Sequence, residues 1–392
     1  MDSTRPFPQD HSRIKAALSA QRMETPSWAY GNSGTRFKVF PQAGIPRDPF
    51  EKIDDAAIVN RLTGVAPSIA LHIPWDRVDN YGELAKHAES NAISIGAINP
   101  NVFQDDSYML GSLCHPDPTL RRQAIGHIGD CIDIAGQVRS SVISLWLADG
   151  TNYAGQDSMR DRHHRLTESL REVYAMLPGG FRLLLEYKLY EPGFYHTDIP
   201  DWGTSYAICL ELGPMADVLV DTGHHAPGTN IEFIVAMLLA RGRLGGFHFN
   251  SRNYGDDDLM VGAADPFELF LIMSEIVDAG DDAARVLFML DQSHNIEPKI
   301  PAMIRSVMNV QEATAKALLV DRDGLRIAQT AGDVLTAHGI LMDAYSTDVR
   351  PLLEELRSEM KLDPNPLQAY ARSGYQDRIN EERVDGTPMS WT

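Results

Sequence analysis

Short apolar runs rich in β-branched residues, most ending in a polar residue, alternate along the chain with longer segments of helical period. The first pattern predicts strands at residues 26–31, 68–73, 92–98, 141–147, 182–187, 217–221, 245–250 and 285–291, the first being the weakest in pattern. The second predicts helices over residues 50–63, 81–90, 119–137, 158–176, 204–212, 229–241, 265–279 and 300–319. Boundary residues agree with this division. Asp265-Pro266-Phe267-Glu268 sets Asp at an N-cap and Pro at the first helical position. Thr229-Asn230-Ile231-Glu232 has the form of a capping box, and Leu177-Pro178-Gly179-Gly180 ends a helix before the strand at 182.

Eight strands alternating with eight helices predict a parallel sheet, and eight is the number that closes a barrel. The expected class is α/β, a (β/α)8 TIM barrel with a C-terminal helical extension. A doubly wound open sheet is the competing architecture. No G-x-G-x-x-G follows the first strand and there is no P-loop, which removes the commonest reasons for it. Strand runs stop after residue 320, and 335–344, 349–360 and 367–382 read as helices too small for their own core. The expected division is a flexible segment at 1–25, a catalytic barrel at 26–320, and an extension at 321–392 packing on the barrel or on a neighbouring subunit.

Composition narrows the function classes. The 392 residues are 43% hydrophobic and 23% charged, as in an ordinary globular protein. A net charge of −19 repels a phosphate backbone, so no nucleic-acid partner is expected. The longest apolar stretches, such as 234–240, are far short of a membrane span. Three scattered cysteines and an N-terminus without an apolar core point to the cytoplasm.

Chemistry collects where a barrel places its active site, at the C-terminal ends of the strands. The predicted strands end on or beside His72, Trp146, Glu186 with Lys188, Asp221, His248 and Asp291. Glu186 closes the apolar run Leu183-Leu184-Leu185, and a carboxylate there must be paired. Converging Glu186, Asp221 and Asp291 would repel by about 4 kcal/mol per pair at about 4 Å and an effective dielectric of about 20. Protons or a cation must neutralise them. Oxygen ligands with one imidazole suit Mn²⁺, Mg²⁺ or Co²⁺ better than structural Zn²⁺. His224 follows Asp221 in a Gly-containing turn, and Asp256 and Asp258 lie in a Gly-opened loop after His248. These can hold a second cation beside the first, with Glu186 as the bridge. The loop position suggests that water solvates Asp256 and Asp258 when that ion is missing.

The run Pro26-Ser27-Trp28, Gly34-Thr35-Arg36-Phe37 and Leu71-His72-Ile73-Pro74-Trp75-Asp76 resembles the L-rhamnose isomerase family, specifically its broad-specificity bacterial branch. The likeness continues through Glu186-Tyr187-Lys188, Val220-Asp221-Thr222-Gly223-His224-His225-Ala226-Pro227, Gly245-Gly246-Phe247-His248-Phe249-Asn250, Tyr254-Gly255-Asp256-Asp257-Asp258, Asp291-Gln292-Ser293-His294 and Ser373-Gly374-Tyr375. It spans residues 25–375, with a shorter N-terminal segment and a contracted loop around 280–282 as departures.

The resemblance implies a metal-dependent aldose–ketose isomerase, homotetrameric and activated by two divalent cations, Mn²⁺ first. Glu186, Asp221, His248 and Asp291 then resemble the ligands of a structural metal, and Glu186, His224, Asp256 and Asp258 those of a catalytic metal. Lys188 matches a lysine near the substrate oxygens and His72 a contact to the far end of the sugar. Trp75 and Trp146 match pocket aromatics, and Phe37 an aromatic reaching a neighbouring subunit's pocket. The expected reaction interconverts L-rhamnose and L-rhamnulose, with L-mannose, L-lyxose and D-allose as further sugars, by a 1,2-hydride shift. Lys188 would steady charge on O1, and Asp291 or Asp258 would assist the proton transfer between oxygens. A ketose 3-epimerase needs two carboxylates on opposite faces of one carbon, so the surplus Asp256/Asp258 loop argues against it. A barrel nuclease is disfavoured by the net charge and the lack of a Lys/Arg stripe. A non-catalytic, metal-stabilised sugar-binding protein is the remaining alternative.

Overall fold

The computed structural model describes residues 11–32, 39–191 and 195–384. Its strands are β1 (Met23–Pro26), β2 (Ser68–Ile73), β3 (Ser94–Pro100), β4 (Val142–Leu145), β5 (Arg182–Glu186), β6 (Tyr190–Glu191), β7 (Tyr195–His196), β8 (Ala216–Asp221), β9 (Leu244–Phe249) and β10 (Leu287–Leu290). The β6–β7 pair is a small antiparallel ribbon. The other eight close a parallel barrel in the order β1-β10-β9-β8-β5-β4-β3-β2.

The helices between the strands begin where the side chains can satisfy their first N–H groups. Asp48, Asn80, Asp117, Ser158, Asp201, Asn230 and Asp265 each accept a backbone N–H at a helix start. Such a cap contributes about 1 kcal/mol. Pro49, Pro118 and Pro266 open their helices, where a missing N–H is harmless.

Strand period two sorts the side chains into two layers. Ile69, Leu71, Ile143, Leu145, Leu183, Leu185, Val218 and Val220 join the core between the sheet and the helices. Ala70, Ala97 and Met289, on the alternate positions, pack with Trp28 inside the barrel. Counting by twos along the strands from that inner layer reaches His72 from Ala70 and Asp291 from Met289. The functional side chains are thus on the inward face for the same reason that the leucines are outward.

Two expectations need correction at the N-terminus. Residues 11–25 are not a flexible segment. His11–Ser19 is a helix whose Ile14 and Leu18 are buried with Ala315, Leu353 and Leu356, more than 290 residues away in sequence. The barrel also starts earlier than predicted: β1 is Met23–Pro26, and Ser27–Tyr30 is a 3-10 turn rather than strand. At the other end the extension gains an unpredicted helix, Arg322–Ala331, before Val334–Ser346, Arg350–Glu359, Pro366–Arg372 and Tyr375–Glu382. Its end is tied to the barrel layer, because Tyr375 and Arg383 both donate to the buried Asp55 carboxylate of helix Pro49–Thr63. Among the described residues no helix is long and apolar enough to cross a membrane.

Candidate metal centre and pocket

Glu186 ends β5, Asp221 ends β8, His248 lies on β9 and Asp291 follows β10. These four residues come from consecutive strands of the barrel, and each offers one ligand atom within 4.8 Å of the others. Trp28 Nε1 donates to Asp291 Oδ1 at 2.9 Å. Asn250 Nδ2 donates to both Asp221 oxygens at 3.0 and 3.2 Å. Gly223 approaches so closely that a Cβ there would sit 2.6 Å from Asn250 Oδ1. His248 Nδ1 lies 3.2 Å from Glu186 Oε2 and 3.1 Å from Asp291 Oδ2. Neither approach has hydrogen-bond geometry, and both ring nitrogens are buried without a hydrogen bond. An imidazole aimed between carboxylates that it does not bond is the arrangement that a shared cation satisfies.

His224, Asp256 and Asp258 gather beside this quartet less tightly. His224 Nδ1 is 3.2 Å from Glu186 Oε1, and its Nε2 is 3.1 Å from Asp256 Oδ1. The other oxygen of Asp256 pairs with Lys188. Asp256 is therefore not solvated by water alone, as its loop position suggested; its side chain is 19% exposed and held by Lys188 and His224. The loop is wound by Asp257, whose carboxylate accepts from the N–H groups of Asn253, Tyr254 and Gly255. That leaves Asp256 and Asp258, both at positive φ, as the residues facing the cavity. Positive φ in a non-glycine residue is strained, and such residues concentrate at functional sites.

Five carboxylates and one ammonium share this space. Burial pushes Asp221 up to about 7, and burial with Asp256 and Asp291 pushes Asp258 well above the usual carboxylate range. Burial acts the same way on Glu186, but His248 and His224 overcome it and hold the group at about 2. His248 is raised to about 10 because Glu186 and Asp291 outweigh the cost of burying its charge. Burial opposes the Lys188 charge as well, yet Asp256 and Glu191 keep its pKa above the ordinary value. In the forms that ligate a metal, with both imidazoles neutral and all five carboxylates ionised, the set with Lys188 carries a formal charge of −4. Two divalent cations balance that number, so the donor set fits the expected metals. The other close group among the described residues, Cys114, Asp149 and Asp198, does not. Arg162 already bonds Cys114 at 3.0 Å and Asp198 at 2.7 Å.

The cavity above the metal ligands encloses about 600 Å³ including its open mouth, a size suited to a small molecule. One side is the carboxylate set with Lys188; the other is aromatic. His72 stacks on Trp75 with ring centroids 3.8 Å apart and meets Trp28 and Phe103 edge-on. Trp146 packs on Phe103 and lies under the Lys188 ammonium at 5.0 Å. Sequence reasoning missed Asn99, Phe103 and Ser144, which also line this cavity, and assigned no role to Trp28. A period-two count back from Trp146 reaches Ser144. Asn99 was hidden because the predicted strand ended at 98 while β3 runs on to Pro100. Phe37 lies outside the described residues.

Comparison with known proteins places the chain among sugar isomerases. The family model for L-rhamnose isomerase (RhaA) matches residues 76–356. A probable sugar isomerase of Rhizobium meliloti (strain 1021) is 44% identical over 382 residues, covering 95% of this chain and 89% of the relative. Another, from Mesorhizobium japonicum, is 43% identical over 378 residues, covering 94% and 88%. A solved L-ribulose 3-epimerase superposes with a TM-score of 0.57 at 16% identity, over 77% of this chain and 98% of its own, a likeness of fold alone.

Proposed function

From the premise that this chain belongs to the L-rhamnose isomerase family, we propose that it interconverts L-rhamnose and L-rhamnulose, with L-mannose, L-lyxose and D-allose as further substrates. The observation that carries the reading is the convergence of Glu186, Asp221, His248 and Asp291 at the mouth of the barrel. Glu186, Asp221, His248 and Asp291 would hold one divalent cation, and Glu186, His224, Asp256 and Asp258 a second. Mn²⁺ is the first choice, with Mg²⁺ or Co²⁺ as alternatives. When bound, such ions supply Lewis acidity at the two sugar oxygens.

The chain's own side chains do the rest. Trp28, Trp146, Phe103 and His72 build an aromatic wall that keeps water from the reacting carbons, and Trp75, which does not itself line the cavity, stacks on His72. Lys188, held toward the cavity by Asp256, offers a positive charge to O1. A hydride moves from C2 to C1 within the sugar while O2 loses a proton and O1 gains one. Asp258 or Asp291, both lining the cavity, takes and returns that proton. The reaction belongs in the cytoplasm and to a homotetramer in which Phe37 completes a neighbour's pocket.

The test is turnover. Metal-stripped protein reloaded with Mn²⁺, Mg²⁺ or Co²⁺ is assayed on the four aldoses, with products identified by NMR. A ketose formed only after reloading supports the reading. A C3 epimer of an added ketose moves the assignment to ketose 3-epimerase, and tight sugar binding without turnover to a sugar-binding protein.

A further inference from the structure

Ser144 lies on β4, is 2% exposed, and lines the cavity. Among the described residues it is the only serine or threonine whose hydroxyl is buried without a partner. Serines elsewhere in the core use theirs: Ser112 bonds Asp149, Ser169 the Leu113 carbonyl, and Ser205 the Leu185 carbonyl. A hydroxyl withdrawn from water and left unpaired is unfavourable, and an alanine of nearly the same size would avoid it. The indole Nε1 of Trp146, two residues along on the same face, is buried without a partner too.

Register places Ser144 in a row. His72 on β2 pairs with Asn99 on β3, and the Ile98–Ile143 pairing sets Asn99 beside Ser144 on β4. Asn99 is fixed by donating to the Leu71 carbonyl at 3.1 Å. The strand next to β4 on the other side is β5, which carries Glu186. Ser144 itself pairs with Leu184, two residues before Glu186 on that strand, so the row runs from just below a metal ligand to His72. A ligand lying along it needs a hydroxyl part-way down its length, which is the chemistry of a polyol chain. A serine hydroxyl can donate to and accept from such a group, while the indole N–H can only donate.

We propose that Ser144 is a substrate-recognition residue, its hydroxyl bonding a mid-chain sugar hydroxyl at C3 or C4, between the reacting carbons and the end that His72 faces. The proposal rests on the aldose–ketose isomerase reading. It requires no part of Ser144 in the hydrogen transfer.

Mn²⁺-loaded wild type and Ser144→Ala are titrated calorimetrically with L-rhamnitol, which cannot isomerise, and with its 3-deoxy and 4-deoxy analogues. Loss of one uncharged hydrogen bond should weaken L-rhamnitol binding roughly 3- to 10-fold. One of the two deoxy analogues should bind both proteins equally, because it lacks the partner. KM for L-rhamnose should rise while kcat stays within about twofold, and Ser144→Thr should restore part of the affinity. The melting temperature should not fall, since no bond within the protein is removed; a merely structural serine would show the reverse. Equal L-rhamnitol affinity in the two proteins, or a loss that persists with both deoxy analogues, overturns the proposal. A wild type that neither binds L-rhamnitol nor turns over any aldose overturns the isomerase reading itself, before the variant is made.

Discussion

The Lys188 ammonium lies 2.6 Å from a carboxylate oxygen of Asp256, joining two residues 68 positions apart in sequence. Glu191 adds a second carboxylate to the same ammonium at 2.8 Å. Asp256 therefore has cationic company of its own, whereas Asp221, Glu186 and Asp291 face each other at the strand ends.

That difference separates the two metal positions. Asp256→Asn with Asp258→Asn is expected to abolish turnover while leaving a folded protein with one cation per subunit. Asp221→Asn or Asp291→Asn is expected to lower metal content and stability together. A cation bound only by the native state contributes about 2.7 kcal/mol at 100 times its Kd, which corresponds to a Tm change of several degrees. Metal analysis and melting curves decide it. A loop double variant that loses both ions and melts as early as Asp221→Asn contradicts the division.

Chelation should act through the same site. Removing the cations from wild type is expected to lower Tm by at least as much as Asp221→Asn does, and to add little in that variant. Scanning calorimetry with and without chelator measures both. Additive losses would mean that the strand-end quartet is not where the stabilising ion sits.

The pocket's aromatic wall depends on a buried ion pair. Lys52, 1% exposed, donates to Asp76, fully buried, at 2.6 Å, and the second Asp76 oxygen accepts from the His72 backbone N–H at 2.7 Å. Lys52→Met leaves that carboxylate uncompensated and should cost about 3–5 kcal/mol. Turnover should fall with metal content unchanged in the molecules that remain folded. Denaturant titration checks the first statement. A loss below about 1 kcal/mol would show that water or another cation replaces the lysine.

His72 is expected to act as a neutral ring. Burial, reinforced by the Lys52 charge, holds its imidazole well below the ordinary range. The unfolded chain takes up a proton near pH 6.5 that the folded pocket refuses, so this group's contribution to stability is present above that pH and is lost as pH falls below it. His72→Asn should reduce that acid sensitivity, raise KM and leave the cations bound. Denaturation midpoints from pH 7.5 to 5 and steady-state kinetics test the two parts; unchanged KM would reduce His72 to a packing residue.

A hydride that stays within the sugar does not exchange. Protonated L-rhamnose converted in D₂O should give L-rhamnulose with little deuterium at C1 by NMR. Extensive solvent deuterium there favours an enediolate and a carbon-directed base.

Phe37→Ala is expected to raise KM, as a residue reaching a neighbour's pocket in the proposed homotetramer would. Light scattering and kinetics at the same concentration test it. A fully active monomer excludes a shared pocket.

The barrel was legible because its signals are local. Backbone geometry imposes period two on a strand and 3.6 on a helix whatever the rest of the chain does, and caps such as Asp265 and Asn230 act within three residues. Glu186 stood out for the same reason, as a charge inside an apolar run. Helix His11–Ser19 did not stand out, because its two buried residues, Ile14 and Leu18, have their partners in the C-terminal extension.

Contacts between strands were decided only by closure. Pairing β1 with β10 completes the ring, and the stagger between neighbours determines which side chains share a level. The Asn99–Ser144 row, the Lys188–Asp256 pair and the orphaned nitrogens of His248 all depend on that stagger. So does the separate role of Asp257, which the run of three aspartates concealed until the loop's N–H groups were placed around it. Residue type and spacing determined the kind of chemistry available, since these are properties of the covalent chain. Partners and protonation were decided by the tertiary structure, since desolvation and distance exist only once strands remote in sequence have met.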